Sequence, residues 1–169
     1  MTSQLPLTTL DTRYSSTNAQ AAPWPDALAH LDKAALFWVV SVRPDGRPHV
    51  TPVVGVWVAD AFYFSSGADE QKSRNLAASP HCSVITGCNA WNAGFDVILH
   101  GQAVVLRDLP SLRTVADAFL AKYGSDWAFD VNEDGTFGGR GVALVYRVDP
   151  AQALGFGKGE PFSHTAYSF

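Results

Sequence analysis

Leu36-Phe37-Trp38-Val39-Val40-Ser41-Val42 opens the stretch that decides the fold, and Pro44-Asp45-Gly46-Arg47-Pro48 follows it. The first segment is a β-branched and aromatic run of strand length, and Asp-Gly is a strong hairpin signal. A second strand is predicted from His49 to Val58, and a third over Ala61-Phe62-Tyr63-Phe64-Ser65-Ser66. The chain then passes through Gly67-Ala68-Asp69-Glu70 into Gln71-Lys72-Ser73-Arg74-Asn75-Leu76, a helix start carrying two cations. Such a start presents free backbone N–H groups and attracts anions, and Lys72, Arg74 and Asn75 can complete a phosphate site. A bound phosphorylated cofactor is the reading this suggests. The alternative is that Lys72 and Arg74 are solvated helix charges.

Outward from this stretch, Pro25-Asp26 begins an earlier helix with an apolar stripe of Leu28, Leu31, Ala34 and Ala35. Residues 1–23 carry no apolar periodicity and read as a flexible arm, leaving 24–169 as one domain. Pro80 ends the Asp69–Ser79 helix, and strands are predicted over His81–Gly87 and Phe95–Arg107, with Gly101 as a bulge. Pro110 opens a helix with Leu112, Val115, Phe119, Leu120 and Tyr123 on one face and Gly124 at its end. Two more strands are expected over Gly141–Asp149 and Gln152–Gly157, with Lys158–Phe169 as an irregular tail. Six or seven strands in meander order, with three helices, predict a mainly β, antiparallel sheet closed as a barrel.

The 169 residues suit one domain, and 47% hydrophobic against 17% charged residues favours oligomerisation or a large ligand. A net charge of −4 argues against a nucleic-acid partner. No apolar run approaches the ~20 residues of a membrane span, and no signal-peptide pattern is present, so a cytoplasmic protein is expected. Cys82 and Cys88, if on one strand, lie roughly 20 Å apart, too far for a disulfide, and read as two buried thiols. His49, His81, His100 and His164 lack ligand spacing, so no metal site is predicted. There is no Gly-x-Ser-x-Gly, no P-loop and no Gly-x-Gly-x-x-Gly after a strand.

Val-x-Pro-Asp-Gly-Arg-Pro-His-Val-Thr-Pro-Val, then Phe-Tyr-Phe-Ser-Ser-Gly, then Lys-Ser-Arg-Asn-Leu-Ala-x-x-Pro together resemble the pyridoxamine 5′-phosphate oxidase-like family of FMN-binding split β-barrels. The resemblance covers about residues 28 to 157. It implies a six- to seven-stranded antiparallel split β-barrel, a homodimer, and FMN or the deazaflavin coenzyme F-420 in each interface groove. It implies that Val50, Thr51, Pro52 and Val53 lie against the tricyclic ring, with His49 beside them as a donor or a half-buried strand residue. It implies further that Ser65, Ser66, Lys72, Arg74 and Asn75 hold the phosphate and ribityl chain. Four Lys against eight Arg resemble the actinobacterial branch.

The chain departs from that pattern at Asp69, Glu70 and Gln71, where relatives carry small or basic residues, and it lacks the substrate signature of true pyridoxamine phosphate oxidases. The resemblance therefore implies an oxidoreductase moving hydride to or from another small organic molecule, with the chemistry supplied by the cofactor and no catalytic side chain. A non-catalytic flavin-, haem- or tetrapyrrole-binding protein is the alternative, with His164 as a candidate axial ligand. Trp91 and Tyr167 are candidates for a substrate pocket or for a dimer interface.

Overall fold

The hairpin predicted from Asp45-Gly46 forms in the computed structural model, which describes residues 5–139 and 141–169. Its strands are β2 (Phe37–Val42) and β3 (Pro48–Val53), with Val42 opposite Pro48 and Ser41 opposite His49. Gly46 takes φ +84°, which the turn requires and a side chain would resist. Before them lie β1 (Leu7–Leu10) and α1 (Trp24–Lys33), which buries Trp24, Ala27 and Leu31.

The strand predicted from His49 to Val58 is two strands. Val54-Gly55 breaks it, and β4 (Val56–Val58) turns to pair with β5 (Ala61–Ser66) rather than with β2. The break is packed: a Cβ on Gly55 would lie 2.2 Å from the Phe62 ring. Ala59 and Asp60 both take positive φ in the two-residue turn, as a tight right-twisted hairpin demands.

The chain continues through α2 (Gln71–Ala78), β6 (His81–Thr86), β7 (Gly94–Leu106) and α3 (Leu109–Tyr123). A 3-10 turn and a small ribbon of β8 (Asp130–Val131) and β9 (Phe137–Gly138) precede β10 (Leu144–Lys158) and β11 (Ser163–Ser168). The two last strands predicted from sequence are thus one continuous β10. The expected bulge lies on β10 between Pro150 and Gln152, opposite Gly101 rather than at it. Gly101 is needed for close approach, since a Cβ there would meet the Asp149 carbonyl at 2.4 Å.

That bulge marks where the sheet forks. β7 follows β10 along one side for nearly its whole length, while the other side pairs with β5 before the bulge and β11 after it. The antiparallel order is β1-β11-β10-β7-β6-β2-β3, with β5 and β4 branching from β10. Nine strands share this sheet, against the six or seven expected. Two came from stretches read as irregular: Leu7–Leu10, within the predicted flexible arm, pairs with Ser163–Ser168, within the predicted irregular tail. Residues 1–4 of the arm lie outside the described residues.

Both faces of β5 are buried, which explains its unbroken aromatic run. Phe62 and Phe64 enter a core with Trp24, Phe37, Val84 and Tyr167. Ala61 and Tyr63 enter a second core under α3, with Leu112, Val115 and Phe119. Among the described residues no helix is long and apolar enough to cross a membrane.

Candidate functional site

The corner where β5 empties into α2 gathers three of the residues expected at a cofactor. A turn closed by Glu70 N–H to the Gly67 carbonyl, 3.1 Å, leads from Ser66 to the helix. Successive helical residues rotate by about 100°, so residues two apart cannot face the same way. Lys72, Ser73, Asn75 and Leu76 are accordingly buried, while Arg74 points to solvent, with Gln71 Oε1 3.4 Å from its guanidinium. The structure brings Ser66, Lys72 and Asn75 together and leaves Arg74 outside the group.

Polar bonds fasten this corner to the sheet. Asn75 Nδ2 donates to Ser41 Oγ at 3.0 Å, and its Oδ1 accepts from Gln71 Nε2 at 2.7 Å. Ser73 Oγ donates to Ser66 Oγ at 2.9 Å. Lys72 is only 6% exposed, and its ammonium pairs with the Glu70 carboxylate. Glu70 Oε1 also accepts the Gly67 N–H at 2.8 Å. Partial burial raises the Glu70 carboxyl, but the bonds from Lys72 and Gly67, with Ser66 beside them, outweigh it and hold the group below the usual range. Burying a lysine is costly without an anion, so its environment is built to hold negative charge.

His49 stands opposite Ser41 in the hairpin, on the sheet face that Asn75 reaches. Its Nδ1 is buried and has no hydrogen-bond partner among the described residues. Burial lowers its pKa, and the charges of Arg43 and Lys72 push the same way, favouring the neutral ring. A buried, unpartnered ring nitrogen is expensive to leave unmade. Together with the buried Lys72, it fits a phosphorylated ligand that also carries hydrogen-bonding groups.

The expected ring strand divides by strand alternation. Thr51 and Val53 share the face of His49, whereas Val50, 56% exposed, and Pro52 face outward. Among the described residues no strand pairs with the other edge of β3. Ser65 is half-buried at the end of β5, where it pairs with Val145. The outward face continues through Trp38, Val42 and Val104, all exposed. A groove of about 720 Å³ runs there, lined by Val40, Val42 and Val104 with the Ser83–His100 pair.

Trp91 and Tyr167, paired as pocket candidates, are separated. Tyr167 is fully buried and its hydroxyl donates to the Ala22 carbonyl at 2.8 Å, so it lines no pocket. Trp91 stands 87% exposed at the mouth of a cleft of about 900 Å³. There the His164 ring stacks on Phe156 at 4.5 Å, with Tyr14 at 6.1 Å and Phe162 nearby. Sequence reasoning missed Tyr14, Phe156 and Phe162. Only the pairing of Phe156 with His164 across β10 and β11 assembles them, and no local pattern announces it. Cys82 is buried as expected, but Cys88 is exposed, and both are free thiols.

A forked antiparallel sheet with its first helix-capped corner at Ser66–Asn75 defines the split-barrel class. The sequence profile of the pyridoxamine 5′-phosphate oxidase family matches residues 24–151, and the chain belongs to that family. No curated protein matches the sequence. Among solved structures, a candidate 5-nitroimidazole antibiotic resistance protein of Bacteroides thetaiotaomicron is similar, with a TM-score of 0.66 and 16% identity over 96% of this chain and 92% of that one. The heme storage protein HutZ of Vibrio cholerae has a TM-score of 0.59 and 16% identity over 75% and 88%. An FAD binding protein of Mycobacterium smegmatis has a TM-score of 0.55 and 16% identity over 86% and 94%. At such identities the likeness is one of fold.

Proposed function

We propose that this protein is a cofactor-dependent oxidoreductase that binds FMN or the deazaflavin coenzyme F-420 at the β3–β5–α2 corner, as a homodimer. The observation that carries this reading is the buried Lys72 ammonium at the end of β5, beside the unpartnered His49 Nδ1. Lys72, Ser66 and the Gly67 N–H would hold the phosphate, each donating to an oxygen. His49 would bond a polar group of the cofactor on the inner face, and the ring would pass round the open edge of β3 to the outward-facing Val50 and Pro52. When bound, the cofactor supplies the hydride chemistry, so the protein's part is to hold and orient it and to exclude water. The exposed face of Trp38, Val42 and Val104 would be covered by the second subunit. Family membership and the FAD-binding neighbour support a flavin-type ligand. The small organic substrate is one other than pyridoxamine phosphate, whose recognition signature the chain lacks.

A second reading has its own observation. The His164 ring stacked on Phe156 in an aromatic cleft suits a planar tetrapyrrole, and a heme storage protein shares the fold. Titration of the protein with FMN, oxidised and reduced F-420, and haemin separates the two. The oxidoreductase reading expects saturable flavin or deazaflavin binding. Tight haemin binding lost in His164→Ala, with no flavin or deazaflavin bound, would replace it with a haem-sequestering role.

A further inference from the structure

The Glu70 carboxylate already engages donors that the cofactor reading assigns to a phosphate. Its Oε1 takes the Gly67 N–H at 2.8 Å, its other oxygen takes the Lys72 ammonium, and the Ser66 hydroxyl lies beside them. These are the same three donors the phosphate reading requires. The two partners differ in how they are held. The Lys72 side chain is 7% exposed and fixed by the fold, whereas the Glu70 side chain is 52% exposed and enters from the solvent side. The cation is therefore built in and the anion is removable. Its immediate neighbour Asp69 makes no comparable bond to the seat.

We infer that Glu70 is a resident anion that competes with phosphate for the Lys72 seat and so weakens this chain's hold on phosphate monoesters. The inference rests on the cofactor reading above. A carboxylate and a phosphate dianion held on one ammonium at contact distance repel each other, and the repulsion rises as solvent is excluded. A phosphorylated ligand must first expel Glu70, exchanging charge-assisted bonds already made for new ones of the same kind. Its net gain is smaller than an open seat would give, and riboflavin, which lacks the phosphate, is untouched by the exchange.

The test is a titration of the parent, Glu70→Gln, Glu70→Ala and the neighbouring control Asp69→Asn with FMN and with riboflavin. Thermal melts establish that each variant is folded. Both Glu70 variants should bind FMN about 10- to 100-fold more tightly, the worth of one charge-assisted bond. Riboflavin affinity should be unchanged, and Asp69→Asn should stay near the parent. FMN affinity equal to or below the parent's in both Glu70 variants overturns the competition while leaving the cofactor reading intact. An equal gain for riboflavin, or in Asp69→Asn, also overturns it, since the effect would not belong to the phosphate seat. Absence of FMN binding in all four proteins overturns the competition, and absence of F-420 binding as well, in the titration above, overturns the cofactor reading with it.

Discussion

Asn75 Nδ2 donates to Ser41 Oγ at 3.0 Å, and this bond ties α2 across β2 with both residues buried. The helix carrying Lys72 is thereby held against the hairpin carrying His49. Ser41→Ala should leave a buried amide donor unmet, and Asn75→Ala should leave Gln71 Nε2 without its acceptor. Each should cost about 1–3 kcal/mol, read as a lower urea midpoint. The double variant should cost less than the sum, because the second change removes a partner already lost. Strict additivity would mean that the two residues act independently.

Lys72 and Arg74, equivalent in a sequence reading, should behave differently. In the Glu70→Gln background, where the seat is open, Lys72→Met keeps most of the buried stem and removes the charge, and should weaken FMN binding about 10- to 100-fold. Arg74→Ala should bind within about twofold of the parent, since its guanidinium faces solvent. Isothermal titration of both variants reads the contrast. Equal losses would place the phosphate further along the exposed helix face.

This contrast shows where the sequence was legible and where it was not. Asp45-Gly46 announced the hairpin, and Ser65-Ser66-Gly67 announced the entry to α2, because turn chemistry is local. Lys72 was found by pattern, but Arg74 was grouped with it because the spacing of two was not weighed against a 3.6-residue helix. Tyr167 was a candidate for a pocket or an interface because β11 was read as tail. Its burial depends on the pairing of Ala153 with Tyr167, a contact between distant strands with no signature in either. The same cause hid β1, whose Leu7–Leu10 pairs, among the described residues, with the distant Thr165–Ser168. Ser41 is one polar residue in an apolar run, and its role appears only when α2 lies over it.

Exposed apolar residues on the outer sheet face should mediate the homodimer. Val42 and Val104 are 45% and 57% exposed and line one groove. Val42→Asp and Val104→Asp would place a charge in that contact and should shift the protein towards monomer in light scattering at micromolar concentration. A parent that is monomeric under those conditions would sink the shared-groove arrangement. A dimer unaffected by both substitutions would move the interface to another face.

The two thiols should differ in reactivity. Burial pushes Cys82 up to about 11, and its backbone contact with Ala103 offsets little of that. Cys88 is exposed, and a backbone bond at Ala90, followed by the nearby Lys158, draws its pKa below the usual thiol range. Thiolate is the reactive form, so iodoacetamide at pH 7.5 should modify Cys88 first. Cys82 should react only in denaturant, which peptide mapping before and after urea treatment would reveal. Comparable labelling of both in the native protein would contradict the burial of β6 in the core.

Tyr167 should make part of the fold's stability alkali-sensitive. Burial, with the charge of Asp26 adding to it, pushes its phenol up to about 12 from an ordinary 10. Between those values the native state keeps a proton that the unfolded chain has released, so stability falls as pH rises through the window. One such group contributes a slope of at most about 1.4 kcal/mol per pH unit. Cys82 acts in the same direction, whereas burial draws Lys122 down to about 8 and acts oppositely between about 8 and 10.5. The comparison must therefore be with Tyr167→Phe, which leaves those groups in place. At pH 7 the variant should be less stable by about 0.5–1.5 kcal/mol, from the lost bond to the Ala22 carbonyl. Between pH 10 and 12 its stability should fall less steeply than the parent's, so the two curves converge and then cross, because the rise of the phenol to about 12 outweighs the lost bond. Urea melts at pH 7, 10 and 11.5 measure this, and parallel curves would show that the Tyr167 proton is not linked to folding.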